Sequence, residues 1–173
     1  MIELTNYTHQ WQEAFEAFKT FILSAIKDIE VEHIGSTAIH GVKAKNIIDV
    51  QLGVESFEKI SALQSTLIDL GFEHIENIKQ DHVPFHEFDY FEDGWQKLFF
   101  KGQHQNQLYN IHVRIIDNPN WKFALDFRNY LNSNTNARYA FMQFKERLAN
   151  SNISIEDYCK IKDSVIDLLS LQF

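Results

Sequence analysis

The sequence predicts an α+β fold: a mixed β-sheet flanked by helices and closed by a C-terminal helical layer, in one domain over 1–173. Three observations lead there. Apolar residues switch between helical and strand periods as far as about residue 116. Beyond Asp117 only helical spacing remains, so 118–173 reads as the helical layer. A chain of 173 residues with 45% apolar content and fifteen Phe suits a single substantial core rather than disorder.

Each element has its own signal. Trp11, Phe15, Phe18, Ile22 and Ile26 recur every three or four residues and predict a helix over about 8–27. Glu30 to Ile34 reads as a short strand running into a Gly-Ser turn, and Asn46 to Val54 as a second strand. Ser56 caps a helix carrying Phe57, Ile60, Leu63, Leu67 and Leu70, which Gly71 ends. Phe72 to Ile75 is a short strand, and 77–94, with Pro84 and many acidic and His residues, is irregular. Trp95–Lys101 and Leu108–Ile116 predict a β-hairpin joined by a long 102–107 connection. Pro119 after Asn118 opens a helix to about Asn132, a second spans about 135–149, and Ser154 with Asp157 caps the last, to about Leu171.

Composition narrows the function classes. A formal charge of −8 argues against general nucleic-acid binding, which calls for a basic excess, yet leaves room for a nucleotide held by a few local cations. The one cysteine, Cys159, has no internal disulfide partner, which suits a reducing cytoplasm, and its setting reads as core. The N-terminus lacks a basic and an apolar signal region, and no apolar run nears the roughly 20 residues of a membrane span. A cytoplasmic location is expected.

Residues 33–54 hold the chemistry. Gly35 lets backbone approach a ligand, and Ser36 brings a hydroxyl beside freed amides. Asp49 follows in the run Ile47-Ile48-Asp49-Val50-Gln51-Leu52, where an ionised carboxylate is costly unless something cationic, such as a metal, compensates it. Strand alternation puts Asp49 and Gln51 on one face, roughly 7 Å apart. The same alternation groups Asn110, His112 and Arg114 on one face of the later strand.

His33-Ile34-Gly35-Ser36-Thr37, Gly41, Lys45 and Ile47-Ile48-Asp49 together resemble the nucleotidyltransferase superfamily, and more closely the GrpB-like family. Phe100-Lys101-Gly102, Ile111-His112-Val113, and the stretch from Pro119-Asn120-Trp121 through Phe127-Arg128 to Tyr130-Leu131 extend the resemblance over most of the chain. It implies a nucleotidyltransferase-like fold. It carries no established reaction, although some family members are joined to a dephospho-coenzyme-A kinase domain.

The resemblance implies a metal-dependent enzyme moving a nucleoside monophosphate to an acceptor, with magnesium on Asp49 and Gln51 and with Asp49 and His112 catalytic. His33, Gly35, Ser36, Thr37, Lys45, Lys101 and Arg114 are the expected phosphate or substrate contacts. The expected partner is a nucleotide or another phosphorylated small molecule. Two departures from the superfamily pattern stand out: Gln51 replaces the second carboxylate, and His112 or Arg114 stands where a third acid belongs. They favour an alternative, a non-catalytic nucleotide- or anion-binding module on the same fold. A structural interaction protein is the third reading.

Plain structural readings accompany these. Asp49 could be satisfied by Lys45, Lys101 or Arg114, His33 could brace the loop, and Gly35-Ser36 could be only a turn. Ser36 lacks the second glycine of a hydrolase nucleophile elbow. His82 and His86 invite zinc, but Pro84 breaks the helix that would align them. Trp121, Phe123, Phe127, Phe141 and Phe144 read as core.

Overall fold

The computed structural model describes residues 2–84 and 92–173. α1 (Gln10–Ala25) leads to β1 (Glu30–Ile34), a 3-10 turn at Ser36–Ala38, and β2 (Ile47–Val54). A 3-10 turn at Phe57–Lys59 runs into α2 (Ile60–Asp69), followed by β3 (Glu73–His74). A 3-10 turn at Glu92–Trp95 precedes β4 (Leu98–His104) and β5 (Gln107–Ile115). α3 (Pro119–Ser133), α4 (Thr135–Asn150) and α5 (Ile155–Ser170) form the helical layer. The expected α+β architecture is the one observed.

The sheet runs β1-β2-β5-β4-β3, and its central pair, β2 with β5, is parallel while the other pairs are antiparallel. A parallel pair requires a crossover, which here passes through α2, β3 and β4. Alternation along β2 sends Ile48, Val50, Leu52 and Val54 into the main core under α1 and α2. Tyr109, Ile111 and Val113 of β5 join them. Asp49, Gln51 and Gly53 therefore face the helical layer, whose own core joins Phe127, Leu131 and Phe141 to Ile39 and Val42.

The hairpin departs from expectation. Its strands extend to a two-residue turn at Gln105–Asn106, both with positive φ (47° and 66°). That is the handedness a tight hairpin wants, supplied by Gln-Asn rather than by glycine. Asn118 takes the cap position of α3 with extended backbone and Pro119 inside it, but its side chain makes no capping bond. Ser154 caps α5 by accepting from the Asp157 amide at 3.0 Å. Cys159 is exposed, not core.

The irregular segment is only partly described: residues 85–91, including His86 and Glu87 of the zinc reading, lie outside the described residues. His82 Nε2 donates to the Asp167 carboxylate at 2.8 Å. Among the described residues no group of three or more His, Cys, Asp or Glu is placed to hold a metal. No helix among them is long and apolar enough to cross a membrane.

Gly53 ties the two layers together. A Cβ there would lie 2.6 Å from Ile116 Cγ1 and 2.8 Å from the Trp121 ring. Gly53→Ala is expected to cost about 1–3 kcal/mol by overpacking. Urea unfolding reads it; an unchanged midpoint would mean that the Trp121 ring shifts freely.

Candidate functional site

The register places two rows of side chains on the sheet face under the helical layer. Ile34, Asp49, Asn110 and Lys101 form one row, and Glu32, Gln51, His112 and Phe99 the next. Lys101 thus stands two strands from Asp49, roughly 10 Å at ordinary strand spacing. It is exposed, and its ammonium lies 5.7 Å from the Phe99 ring centre.

Asp49 is half-buried. The Asn110 amide donates to its Oδ1 at 2.9 Å, and His112 Nε2 lies 3.7 Å from the same oxygen. None of Lys45, Lys101 and Arg114 pairs with it, contrary to the plain reading of its surroundings. Gly35, with φ +70° and ψ −168°, lies directly beside the carboxylate. A Cβ on Gly35 would come within 2.9 Å of Asp49 Cβ and Cγ and meet Oδ2 more closely still. The missing side chain is the room that the carboxylate occupies. Burial pushes the Asp49 carboxyl up, but His112, Asn110 and Lys162 outweigh it and hold it below its ordinary value.

His33 is buried, stacked on Phe15 at 4.7 Å, with Nε2 2.9 Å from Thr37 Oγ1 and Nδ1 3.3 Å from Gln12 Oε1. It braces the Ser36–Ala38 turn from behind, and Thr37 spends its hydroxyl on the same contact. Burial, partly offset by Asp49, lowers His33 to about 4, so it is neutral at pH 7. Arg128 holds the strand beneath it, donating to Glu32 at 2.7 Å and to the His33 carbonyl at 2.8 Å.

Arg114 has a partner that the sequence reading missed, Asp81. Its Nε and Nη2 grip Asp81 at 2.9 and 3.0 Å, while Nη1 donates to Gln51 Oε1 at 2.5 Å. Lys97 donates to Asp81 at 2.6 Å, and the Asn120 amide donates to the same carboxylate at 3.1 Å. Gln51 is fully buried and its amide nitrogen reaches the Trp121 carbonyl at 3.4 Å, so its oxygen already serves Arg114. Lys97 Nζ lies 3.2 Å from His112 Nδ1, which makes that nitrogen the acceptor and leaves the imidazole proton on Nε2, facing Asp49. Burial, then Lys97, lowers His112 to about 4. Burial would raise the Asp81 carboxyl, yet Arg114 and Lys97 hold it far below the usual carboxylate range.

Asp49 and Ser36 line both of two neighbouring cavities. The larger, about 680 Å³, also takes in Lys45, Lys101, Lys145 and Lys162. The smaller, about 240 Å³, takes in Gly35, Asp81, His112, Arg114 and Phe123. Lys45 lies over the Tyr158 ring at 5.1 Å. Lys145 and Lys162 were not anticipated. Lys145 does interrupt the apolar stripe of α4 between Phe141 and Ala149, a signal open to a closer reading. Asp81 sits in an irregular segment with no periodicity to mark it.

The sequence profile of the GrpB protein family matches residues 1–170. The chain belongs to the GrpB family. The crystal structure of GrpB from Enterococcus faecalis superposes with a TM-score of 0.77 at 28% identity, covering 98% of this chain and 96% of that one. A dephospho-CoA kinase of Mycobacterium bovis is 32% identical over 130 residues, covering 69% of this chain and 32% of that protein. The GrpB-family chain therefore spans about a third of that relative's length. The Cid1 poly(U) polymerase bound to MgATP matches with a TM-score of 0.50 at 12% identity, over 81% of this chain and 43% of that one. At that identity the likeness shows the nucleotidyltransferase-like fold alone.

Proposed function

We propose that this GrpB-family chain binds a nucleotide or another phosphorylated small molecule in the larger cleft, with cations holding the phosphates. One observation carries the reading: Lys45, Lys101, Lys145 and Lys162 converge on a cleft whose acids are Asp49 and Glu73, in a chain of net charge −8. Four lysines against two carboxylates make this hollow attractive to anions despite the chain's acidic balance. Ser36 of the 3-10 turn lines the same cleft and brings a hydroxyl to it.

The donor set fits a two-metal centre poorly. Gln51 Oε1 already accepts from Arg114, and the third position carries His112, whose Nε2–H faces Asp49. Asp49 is the residue that would hold a magnesium ion, with the ligand's phosphates supplying further oxygens. Such an ion would neutralise phosphate charge. His112 is poorly placed as a base, because one nitrogen carries the proton and the other faces Lys97; its part is to hold Asp49 as an anion.

A second reading, transfer of a nucleoside monophosphate to an acceptor, is favoured by Asp49 standing at the junction of both cavities. The larger would take the nucleotide and the smaller the acceptor. Calorimetry with ATP, GTP, CTP and UTP, each with and without magnesium, separates the readings. Binding without magnesium that tightens up to about fivefold in Asp49→Asn, on the scale of one partly exposed charge contact, supports the binding module. Magnesium-enhanced binding that Asp49→Asn abolishes supports the transferase. Absence of nucleotide binding under all these conditions overturns the transferase and confines the first reading to a phosphorylated ligand other than a nucleotide.

A further inference from the structure

Lys145 is 3% exposed, an unusual position for a lysine. Its ammonium donates to the Lys43 carbonyl at 2.7 Å and lies 5.6 Å from the Phe141 ring centre. Among the described residues no carboxylate lies within ion-pair distance of it. Glu146, the next residue on α4, pairs with Lys43 instead. A buried cation without a counter-ion is costly and is ordinarily paired. Two further cations line the same cleft: Lys45, over the Tyr158 ring, and Lys162, which reaches Asp163 only at 3.7 Å.

We propose that Lys45, Lys145 and Lys162 form a phosphate subsite on the helical side of the cleft, taking the terminal phosphate of a di- or triphosphate ligand. The inference rests on the phosphorylated-ligand reading and narrows it. Lys101 and Ser36 line the sheet side of the cleft, so a ligand held by cations on both sides carries more than one phosphate.

The charges facing Lys145 make its binding proton-linked. Burial, then Lys162, lowers its amine to about 7; Asp49 on β2 pulls the other way, and Lys45 ahead of β2 adds to the lowering. Tyr158 of α5 is neutral, with burial raising its hydroxyl. Near neutral pH the Lys145 amine is therefore shared between its charged and uncharged forms in the free protein. A phosphate arriving among the three lysines favours the ammonium form, so ligand entry draws a proton from solvent.

Calorimetry at pH 7.5 in Tris and in HEPES, without magnesium, tests this with ATP, AMP and inorganic tripolyphosphate as ligands. The two buffers differ in ionisation enthalpy and so report protons taken up. The expected result is uptake of a fraction of a proton with ATP and tripolyphosphate, absent in Lys145→Met. Lys45→Ala and Lys162→Ala, at partly exposed positions that leave the fold intact, each weaken ATP and tripolyphosphate about tenfold and leave AMP unchanged. ATP binding that ignores all three substitutions overturns the subsite and leaves the phosphorylated-ligand reading standing. Tripolyphosphate binding that depends on the lysines, without any nucleotide binding, keeps the subsite and removes the nucleotide. If neither binds, both fail.

Discussion

Asp81→Ala is expected to lower the free energy of unfolding by about 3–5 kcal/mol, a large share of the 5–15 kcal/mol typical of a domain. The cause is what remains behind. Arg114 and Lys97 are 5% and 8% exposed, and Asp81 is the carboxylate that both of them grip. Without it, two cations face each other out of water and Asn120 loses an acceptor for its amide. At this chain length the melting temperature should fall by about 10 °C. A loss under 1 kcal/mol would mean that water reaches both cations and that the network is ornamental. Replacing Asp81, Lys97 and Arg114 together by apolar residues of like size should recover most of the loss, since breaking a buried cluster costs more than deleting it.

The same residue sets an acid limb whose sign can be worked out. The Asp81 carboxyl titrates lower in the folded chain than in the unfolded one, so its stabilisation is complete above the unfolded value of about 4. It is lost progressively as pH falls below that value, because the unfolded chain then binds the proton first. Wild-type stability should therefore drop below about pH 4, and the Asp81→Ala profile should be flatter there. Denaturant midpoints between pH 3 and 7 distinguish the two curves.

Asp81 also marks where sequence reasoning ran out. The helices and β1 were legible because each carries its own period: Trp11, Phe15, Phe18 and Ile22 are buried along one stripe, and the β2 pattern puts Asp49 and Gln51 on one face. The Gly35, Ser36 and Asp49 grouping was legible too, since strand, turn and strand are consecutive and antiparallel pairing returns Asp49 beside Ile34. Arg114 was read as sharing a strand face with Asn110 and His112, but its partner lies 33 residues earlier in a segment without repeat or turn signature. No local pattern encodes a contact of that kind. The hairpin turn was misjudged for a related reason: Gln105 and Asn106 adopt positive φ without the glycine that usually announces it. Lys145 was legible in principle. A lysine between Phe141 and Ala149 on the buried stripe of α4 invites the question of what neutralises it.

Gly35→Ala is expected to be the most damaging single methyl in the site. At φ +70° and ψ −168° an alanine sits in a backbone region nearly reserved for glycine, at a cost of about 1–3 kcal/mol. The new methyl would also collide with Asp49, whose Cβ and Cγ lie 2.9 Å from its position, so the carboxylate must leave the Asn110 amide. Two separable penalties follow, one of backbone and one of contact. Combining Gly35→Ala with Asp49→Ala removes the carboxylate but retains the backbone strain and the Cβ contact. The double variant should be less destabilised than the sum of the single ones by roughly 1 kcal/mol or more, the coupling expected of residues in direct contact. Strict additivity in urea unfolding would mean that Asp49 swings aside at no cost, and that the hollow beside Gly35 is not what keeps the carboxylate aimed at the cleft.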